Sequence, residues 1–506
     1  MSRFKNRTFT SEKPQEEVFV RDETPNSLLP SLQVDNLADF ITEDTTLVID
    51  GDGIVWKACA AMEELYIEVL NKKENQVFEL ENVTALKGRV RSGFSENSWI
   101  GIENVKREAE GKEPYVLEDF EVTPKQRLGR DHKEALEEAK MIIFTKLKKL
   151  RQQFGINKTL FVIGEGDCFR HDLILPAPYK GNRSEQLRPI ILKEIRQWIL
   201  SEDFKKDARK SEKARKGFET DDVVEWYGAA GYANYLKTGK FSYVVCAEDK
   251  DSWSNPKALT NFATVDGKFK YAQPWIIENS AKSVGIVDLV SKGSTKDLKG
   301  SGLKWLVAQA FCIGDAADNY HPYKFLDDKF KKNVNYGVTA AYKQLMPLST
   351  PQSILQMAVD NFAEWFPHGL VYESQGKEYD VDTFFYMDQL FRAAYMTRSP
   401  EDRTTFELLC NHYKVDLSKV KDNNRYTAPV KTINKDKAVE LLLENVQAIE
   451  GLVDSEFKGL ASMKKGDLVE KLKDIKELLE QLTDIEDAYE MVSVLKPQFA
   501  QEQEND

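Results

Sequence analysis

Cysteine is scarce and shows no pairing pattern. The five present, Cys59, Cys168, Cys246, Cys312 and Cys410, are odd in number, far apart and never spaced C-x-x-C. That argues against a disulfide framework and a thiolate zinc site, and it fits a reducing compartment. Histidine is equally thin, with five residues, no H-E-x-x-H and no pair four apart. A histidine-based transition-metal site is therefore not expected, and any metal must be held by oxygens. No apolar run approaches the ~20 residues that cross a bilayer. The opening residues carry no apolar stretch of the secretory kind, so neither membrane insertion nor export is expected. Internal repeats and low-complexity tracts are also absent.

What is there is the balance of a folded protein. The chain has 506 residues, 41% hydrophobic and 30% charged, enough for two to four packing units. The net charge of −12 is unevenly spread. Residues 430–506 hold 10 Lys/Arg against 18 Asp/Glu, a net of −8, whereas residues 179–217 hold 12 against 6, a net of +6. An acidic total governs solubility, while a local basic stretch speaks to partners, so nucleic acid is not excluded.

Three short β-branched runs read as buried strands: TTLVID (45–50), TLFVIGE (159–165) and SYVVCAED (242–249). A long helix is expected at 132–153 and another from near Asp221. Strands alternating with helices predict an α/β fold with a central, mostly parallel sheet flanked by helices. Residues 1–44 read as an arm and 45–350 as the core, with an insertion at about 65–128 and a basic region at about 176–217. A helical extension is expected at 351–420 and an acidic helical tail at 421–506. In the tail, Leu468, Leu472, Ile475, Leu479 and Leu482 form a short heptad seam, with Val439, Leu442, Leu443 and Val446 as a facing stripe. This reads as a terminal helical hairpin rather than a dimerising coiled coil, and its acidic surface is a candidate docking site for a protein partner.

The informative feature is what ends each strand. TLVID closes on Asp50-Gly51-Asp52, FVIGE on Glu165, and VVCAED on Asp249 with Asp251 next. In an open α/β sheet, ligand sites form at the carboxyl ends of the strands. Two further acidic groups, E-T-D-D (219–222) and G-D-A-A-D (314–318), sit at expected helix starts. Each alone is an ordinary N-cap or turn, but five in one order predict a carboxylate cluster. Like charges so close raise one another's pKa, and divalent cations with oxygen ligands, Mg²⁺ or Mn²⁺, are the usual solution.

In their order and spacing these motifs resemble the flap endonuclease/5′-nuclease superfamily, most closely bacteriophage 5′-to-3′ exonucleases. The likeness covers about residues 45–345 and rests on I-D-G-D (49–52), F-R with P-Y-K-G-N-R (169–170, 178–183), E-T-D-D (219–222), E-D-K-D (248–251) and G-D-A-A-D-N (314–319). It implies a two-metal nuclease that hydrolyses DNA from the 5′ side, in the host-cell cytoplasm of a phage infection. Carried over, Asp50, Glu165, Glu219, Asp221, Asp52 and Asp222 surround one ion, and Asp249, Asp251, Asp315 and Asp318 the other. Lys180 and Arg183 are implied as catalytic cations beside Asp50 and Asp249, with Arg170 as an auxiliary DNA contact or a salt-bridge residue. Residues 205–216, with Lys205, Lys206, Arg209 and Lys210, are implied to form part of a basic arch over the site. At 315–345 the resemblance implies a helix–hairpin–helix-like element, in which Gly337 and Thr339 open a phosphate-binding helix. Glu165 stands where many relatives have Asp, and Asp167 is an alternative ligand. The other readings of the same residues are a PIN-type ribonuclease and a DNA-binding replication scaffold on a degenerate nuclease fold.

Overall fold

The structure, a computed structural model, describes residues 34 and 36–421, apart from 165, 167, 185, 207–208, 266–267, 272–273, 279–282 and 293–294. Most of the arm, Glu165, Asp167 and the acidic tail with its heptad lie outside the described residues.

β1 (Thr46–Asp50) leads directly into α1 (Gly51–Ala60). A Cβ at Gly51 would meet the Val162 carbonyl at 2.6 Å, so glycine is what lets α1 start against the neighbouring strand. The insertion follows as β2 (Glu63–Asn71), β3 (Gln76–Leu80), α2 (Val83–Lys87), α3 (Trp99–Ala109) and β4 (Phe120–Leu128). It is a three-stranded antiparallel sheet, ordered β3-β2-β4, with a small core of its own around Ile67, Val69, Ile100 and Phe120. α4 (His132–Phe154) is capped by Asp131, which accepts from Lys133 N (2.9 Å), and ends on left-handed Gly155.

The core resumes with β5 (Lys158–Ile163), α5 (Leu192–Leu200), β6 (Arg209–Lys213), α6 (Thr220–Thr238), β7 (Tyr243–Cys246) and β8 (Lys257–Thr260). A hairpin of β9 (Phe262–Val265) and β10 (Lys268–Tyr271) precedes β11 (Trp275–Ile277). The central sheet runs β11-β8-β7-β1-β5-β6, parallel throughout except for β11. β1 is buried on both faces, as a central parallel strand should be. Leu47 and Ile49 pack with α1, α4 and α5, while Val48 packs toward Val223 and Val224 of α6.

The rest of the described chain adds the hairpin β12 (Val287–Lys292) and β13 (Thr295–Gly300), α7 (Gly302–Ala308) and a π-helical turn at Gln309–Ile313. Then come α8 (Asp328–Lys331), α9 (Val338–Leu345), α10 (Pro351–Trp365), β14 (Leu370–Ser374), β15 (Lys377–Val381), α11 (Thr383–Ala394) and α12 (Phe406–His412). The extension expected to be helical therefore contains a β-hairpin. Its two-residue turn is Gln375-Gly376, both with positive φ (50° and 72°), the conformation whose twist matches paired strands. No helix among the described residues is long and apolar enough to cross a membrane.

Candidate functional site

The parallel strands deliver their acidic residues to one edge. Asp50 is the last residue of β1 and caps α1, accepting from Asp52 N (3.1 Å). β7 pairs in register with β1, Ile49 opposite Cys246, so Asp249 and Asp251 emerge beside Asp50. Asp249 caps the short turn Lys250–Trp253, accepting from Asp251 N (3.2 Å). α6 brings Glu219 and Asp221 to the same edge at its N-terminus.

The third contribution comes from the loop after the π-helical turn. Gly314 has φ +64°, and a Cβ there would meet the Tyr320 carbonyl at 2.5 Å. Glycine thus permits the backbone bridge between Asp315 and Tyr320 (2.9 and 3.0 Å), which folds Asp315 and Asp318 inward. One carboxylate oxygen each from Asp251, Asp315 and Asp318 then lies within 4.8 Å of the others, and all three residues are buried.

The electrostatics extend the group. Burial and the charges of Asp249, Asp315 and Asp318 push Asp251 well above the usual carboxylate range. Burial, then Asp50 and Asp249, do the same to Asp221. Asp50 is raised to about 7 by lost hydration, Asp52 and Asp249. Asp249 thus acts on both Asp50–Asp221 and Asp251, joining them into one acidic surface. An all-oxygen, buried, like-charged set is the donor chemistry of a hard divalent cation. The Tyr320 hydroxyl and Gln309 Oε1, both buried beside these carboxylates, meet no protein partner, as suits a site that takes a hydrated ion.

Cations border the cluster. Lys180 pairs with Glu219 and lies 3.7 Å from Asp318, while Arg183 Nη2 lies 2.7 Å from Asp318 and stays half-exposed. Lys180 is a non-glycine residue in the left-handed region (φ 54°), held there by a backbone bond to the Asp318 carbonyl (2.9 Å). Such strain persists where the surroundings fix it, often at working sites. Burial opposes the charge of Glu219, but Arg170, Lys180 and Tyr179 outweigh it and hold the carboxyl down to about 2.

Several expectations change. Asp222 is saturated: it accepts from Arg170 at 2.7 and 2.9 Å, from Glu219 N at 3.1 Å and from Thr397 N and Oγ1 at 3.0 Å. Its oxygens are committed to protein donors, so it is a structural residue rather than an open ligand. Asp52 is likewise engaged by Arg196 (2.7 Å), Gly164 N (3.1 Å) and the Thr220 hydroxyl. Arg170 is wholly buried against Asp222 and is not a DNA contact.

The described residues of 205–216, expected to form part of a basic arch, do not lie over the site. Residues 209–213 are the edge strand β6, parallel to β5 with Arg209 opposite Thr159. Lys205, Lys206, Arg209 and Lys210 therefore lie toward the amino end of the sheet, opposite the acidic edge. There Lys205 and Lys206 pair with Glu202 and Asp203, and Arg209 stacks on Phe144. Gly337 does cap α9 and Thr339 lies in its first turn, with open space at Gly337.

The residues that the sequence reading overlooked are Tyr179, whose hydroxyl bridges Asp318 (2.7 Å) and Glu219 (3.0 Å), and Lys250, 2.8 Å from Asp315. Both lie inside quoted motifs, P-Y-K-G-N-R and E-D-K-D. Gln309, which donates to Asp251, lies in no such motif.

Comparison with solved structures returns the T5 D15 protein co-crystallised with metal ions, at 14% identity and a TM-score of 0.28, over 54% of this chain and 85% of that one. It also returns a T5 5′-exonuclease variant at 11% identity and 0.27, over 54% and 84%. A third is the bacteriophage T5 D15 flap endonuclease in a pseudo-enzyme–product complex with DNA and metal ions, at 13% identity and 0.28, over 54% and 89%. These are proteins of the group that the sequence motifs resemble. No protein-family model and no curated protein matches the chain.

The metal-free protein is expected to lose stability as pH rises between about 4 and about 7. Asp50, moved from 3.8 to about 7, holds its proton more tightly folded than unfolded. Its contribution is complete below the unfolded value and is lost as pH passes the folded one. Thermal melts in EDTA at pH 5 and pH 8 check this, and Mg²⁺ at pH 8 should raise the melting temperature. A melting temperature that climbs with pH in EDTA contradicts it.

Proposed function

We propose that the chain is a divalent-metal-dependent nuclease that hydrolyses DNA phosphodiester bonds from the 5′ side, as an exonuclease or flap endonuclease of phage DNA replication or recombination. The observation that carries this reading is the convergence of Asp251, Asp315 and Asp318 at the carboxyl edge of the sheet, flanked by Lys180 and Arg183. Asp251, Asp315 and Asp318 would hold one Mg²⁺ or Mn²⁺ and Asp50 and Asp221 a second, with Asp249, whose charge acts on both groups, available to either. When bound, such ions activate water and stabilise the leaving oxygen of a phosphodiester.

The chain's own groups do the rest. In the free protein Lys180 and Arg183 neutralise Glu219 and Asp318. Arg183, half-exposed, turns to a substrate phosphate without crossing a buried barrier, and Lys180 holds charge at the mouth of the site. Tyr179 ties Glu219 to Asp318 and so keeps the two acidic groups at a set separation. The N-terminus of α9, open at Gly337, presents backbone N–H groups suited to duplex phosphates. No side-chain nucleophile is required.

The test is cleavage of 5′-labelled blunt duplex, 5′-flap and single-stranded DNA, and of single-stranded RNA, in Mg²⁺ and in EDTA, with Asp315→Ala as control. Metal-dependent release from the 5′ side, lost in the variant, supports the reading. Preference for RNA favours the PIN-type ribonuclease, and tight DNA binding without cleavage favours the scaffold. Lys180→Met is expected to cut about 10²-fold more slowly while retaining Mn²⁺ binding, the signature of lost transition-state stabilisation.

A further inference from the structure

The described residues beyond α10 are not an appendage. Residues 395–397, leaving α11, enter the base of the acidic site and bond three separate elements. The Tyr395 carbonyl accepts from Arg170 Nη2 (2.6 Å), in the segment that follows β5. Thr397 N–H and Oγ1 donate to Asp222 Oδ1 on α6, and Thr397 Oγ1 accepts from Trp226 Nε1 (2.8 Å), also on α6. The Met396 carbonyl accepts from Asn255 Nδ2 (3.0 Å), just past the turn that carries Asp251. Arg170, Asp222, Asn255 and Thr397 are all buried, so water does not substitute for these bonds.

The segment is itself held in shape. Asp402 accepts from the Tyr395 hydroxyl (2.8 Å), Arg398 N (2.9 Å), Thr404 N (3.0 Å) and Thr404 Oγ1 (2.6 Å). Its contacts also propagate. Asp222 accepts from Glu219 N and anchors Arg170, and Arg170 Nη1 reaches Glu219 (3.2 Å). Fixing Thr397 thus fixes the first turn of α6, which carries Glu219 and Asp221. Asn255 does the same for the turn that carries Asp249 and Asp251.

We propose that residues 395–397 form a positioning strap that joins the two halves of the acidic site, with Thr397 setting the metal affinity of carboxylates it does not touch. The inference rests on the metal-centre reading above. Partners that orient ligands from outside a metal site are worth about 10–100-fold in affinity. Thr397→Val removes the hydroxyl, leaving Trp226 N–H unpaired and Asp222 short of one donor, while the backbone bond remains. Thr397→Ser keeps the hydroxyl.

The experiment is a Mn²⁺ titration of the full chain, read from the electron paramagnetic resonance signal of free Mn²⁺, with melts in EDTA run in parallel. Thr397→Val is expected to bind about tenfold more weakly and Thr397→Ser within about twofold of the parent. Asn255→Ala, which loosens the strap from the other side without touching Asp222, should also weaken binding and serves if Thr397→Val does not fold. A folded Thr397→Val that melts earlier yet binds Mn²⁺ as the parent does makes the segment purely structural and overturns the strap. A parent chain that binds no Mn²⁺ overturns the metal centre itself, and the strap with it.

Discussion

Replacing Asp251 with Asn is expected to slow metal-dependent cleavage by about 10²–10³-fold while making the metal-free protein more stable at pH 8. The two effects have one cause. Asp251 is buried beside Asp315 and Asp318, and its carboxyl is held well above the ordinary range by burial and those charges. At pH 8 the folded chain must either bear that charge among its neighbours or hold a proton that the unfolded chain would release, and both cost stability; Asn has the same shape, accepts the Gln309 amide through its oxygen and does neither. The cost shrinks as pH falls toward the ordinary carboxylate range, so the gain should be smaller at pH 5 than at pH 8. Urea denaturation in EDTA at both pH values, set beside cleavage rates in Mg²⁺, checks the pair. A variant less stable than the parent at pH 8 in EDTA would contradict the like-charge account, whatever its activity.

Arg170→Met carries the largest expected loss of stability, about 3–5 kcal/mol. Arg170 and Asp222 are both fully buried and joined by two bonds of 2.7 and 2.9 Å. Methionine fills much of the volume but leaves a buried carboxylate without its counter-charge, and removing one partner of such a pair costs far more than removing both. The double variant Arg170→Met with Asp222→Asn should therefore recover a good part of the loss. Urea midpoints of the parent, the single and the double variant give the answer. An Arg170→Met protein within about 1 kcal/mol of the parent would mean that the pair adds little, as exposed pairs do.

The sequence carried more of the site than of the fold around it. β1, β5 and β7 were legible because strands buried on both faces must be apolar and β-branched. α4 came within one residue of the expected 132–153, and α6 starts one residue before the expected Asp221. β6 was not legible. K-S-E-K lies on a sheet edge where only part of each residue is buried, and charged edge strands read as solvated helix or loop although charge is how edges are protected from aggregation. The β14–β15 hairpin was missed because its turn is Gln-Gly rather than the more telling Asn-Gly.

Within the site, the sequence pointed to Asp50, Asp221, Asp251, Asp315 and Asp318 as neighbours, since strand ends and helix starts fix where an acidic residue emerges. Only the tertiary structure decided which of them stay open. Asp221 and Asp222 are neighbours in the chain, yet burial beside Asp50 and Asp249 pushes Asp221 up, while Asp222 is saturated by donors 52 and 175 residues away. Asp52 is closed by Arg196 and Thr220 in the same way. A carboxylate's freedom to take a cation depends on whether the donors at its oxygens can leave: Arg183 at Asp318 is half-exposed, whereas Arg170 at Asp222 is wholly buried, and packing rather than the motif decides which.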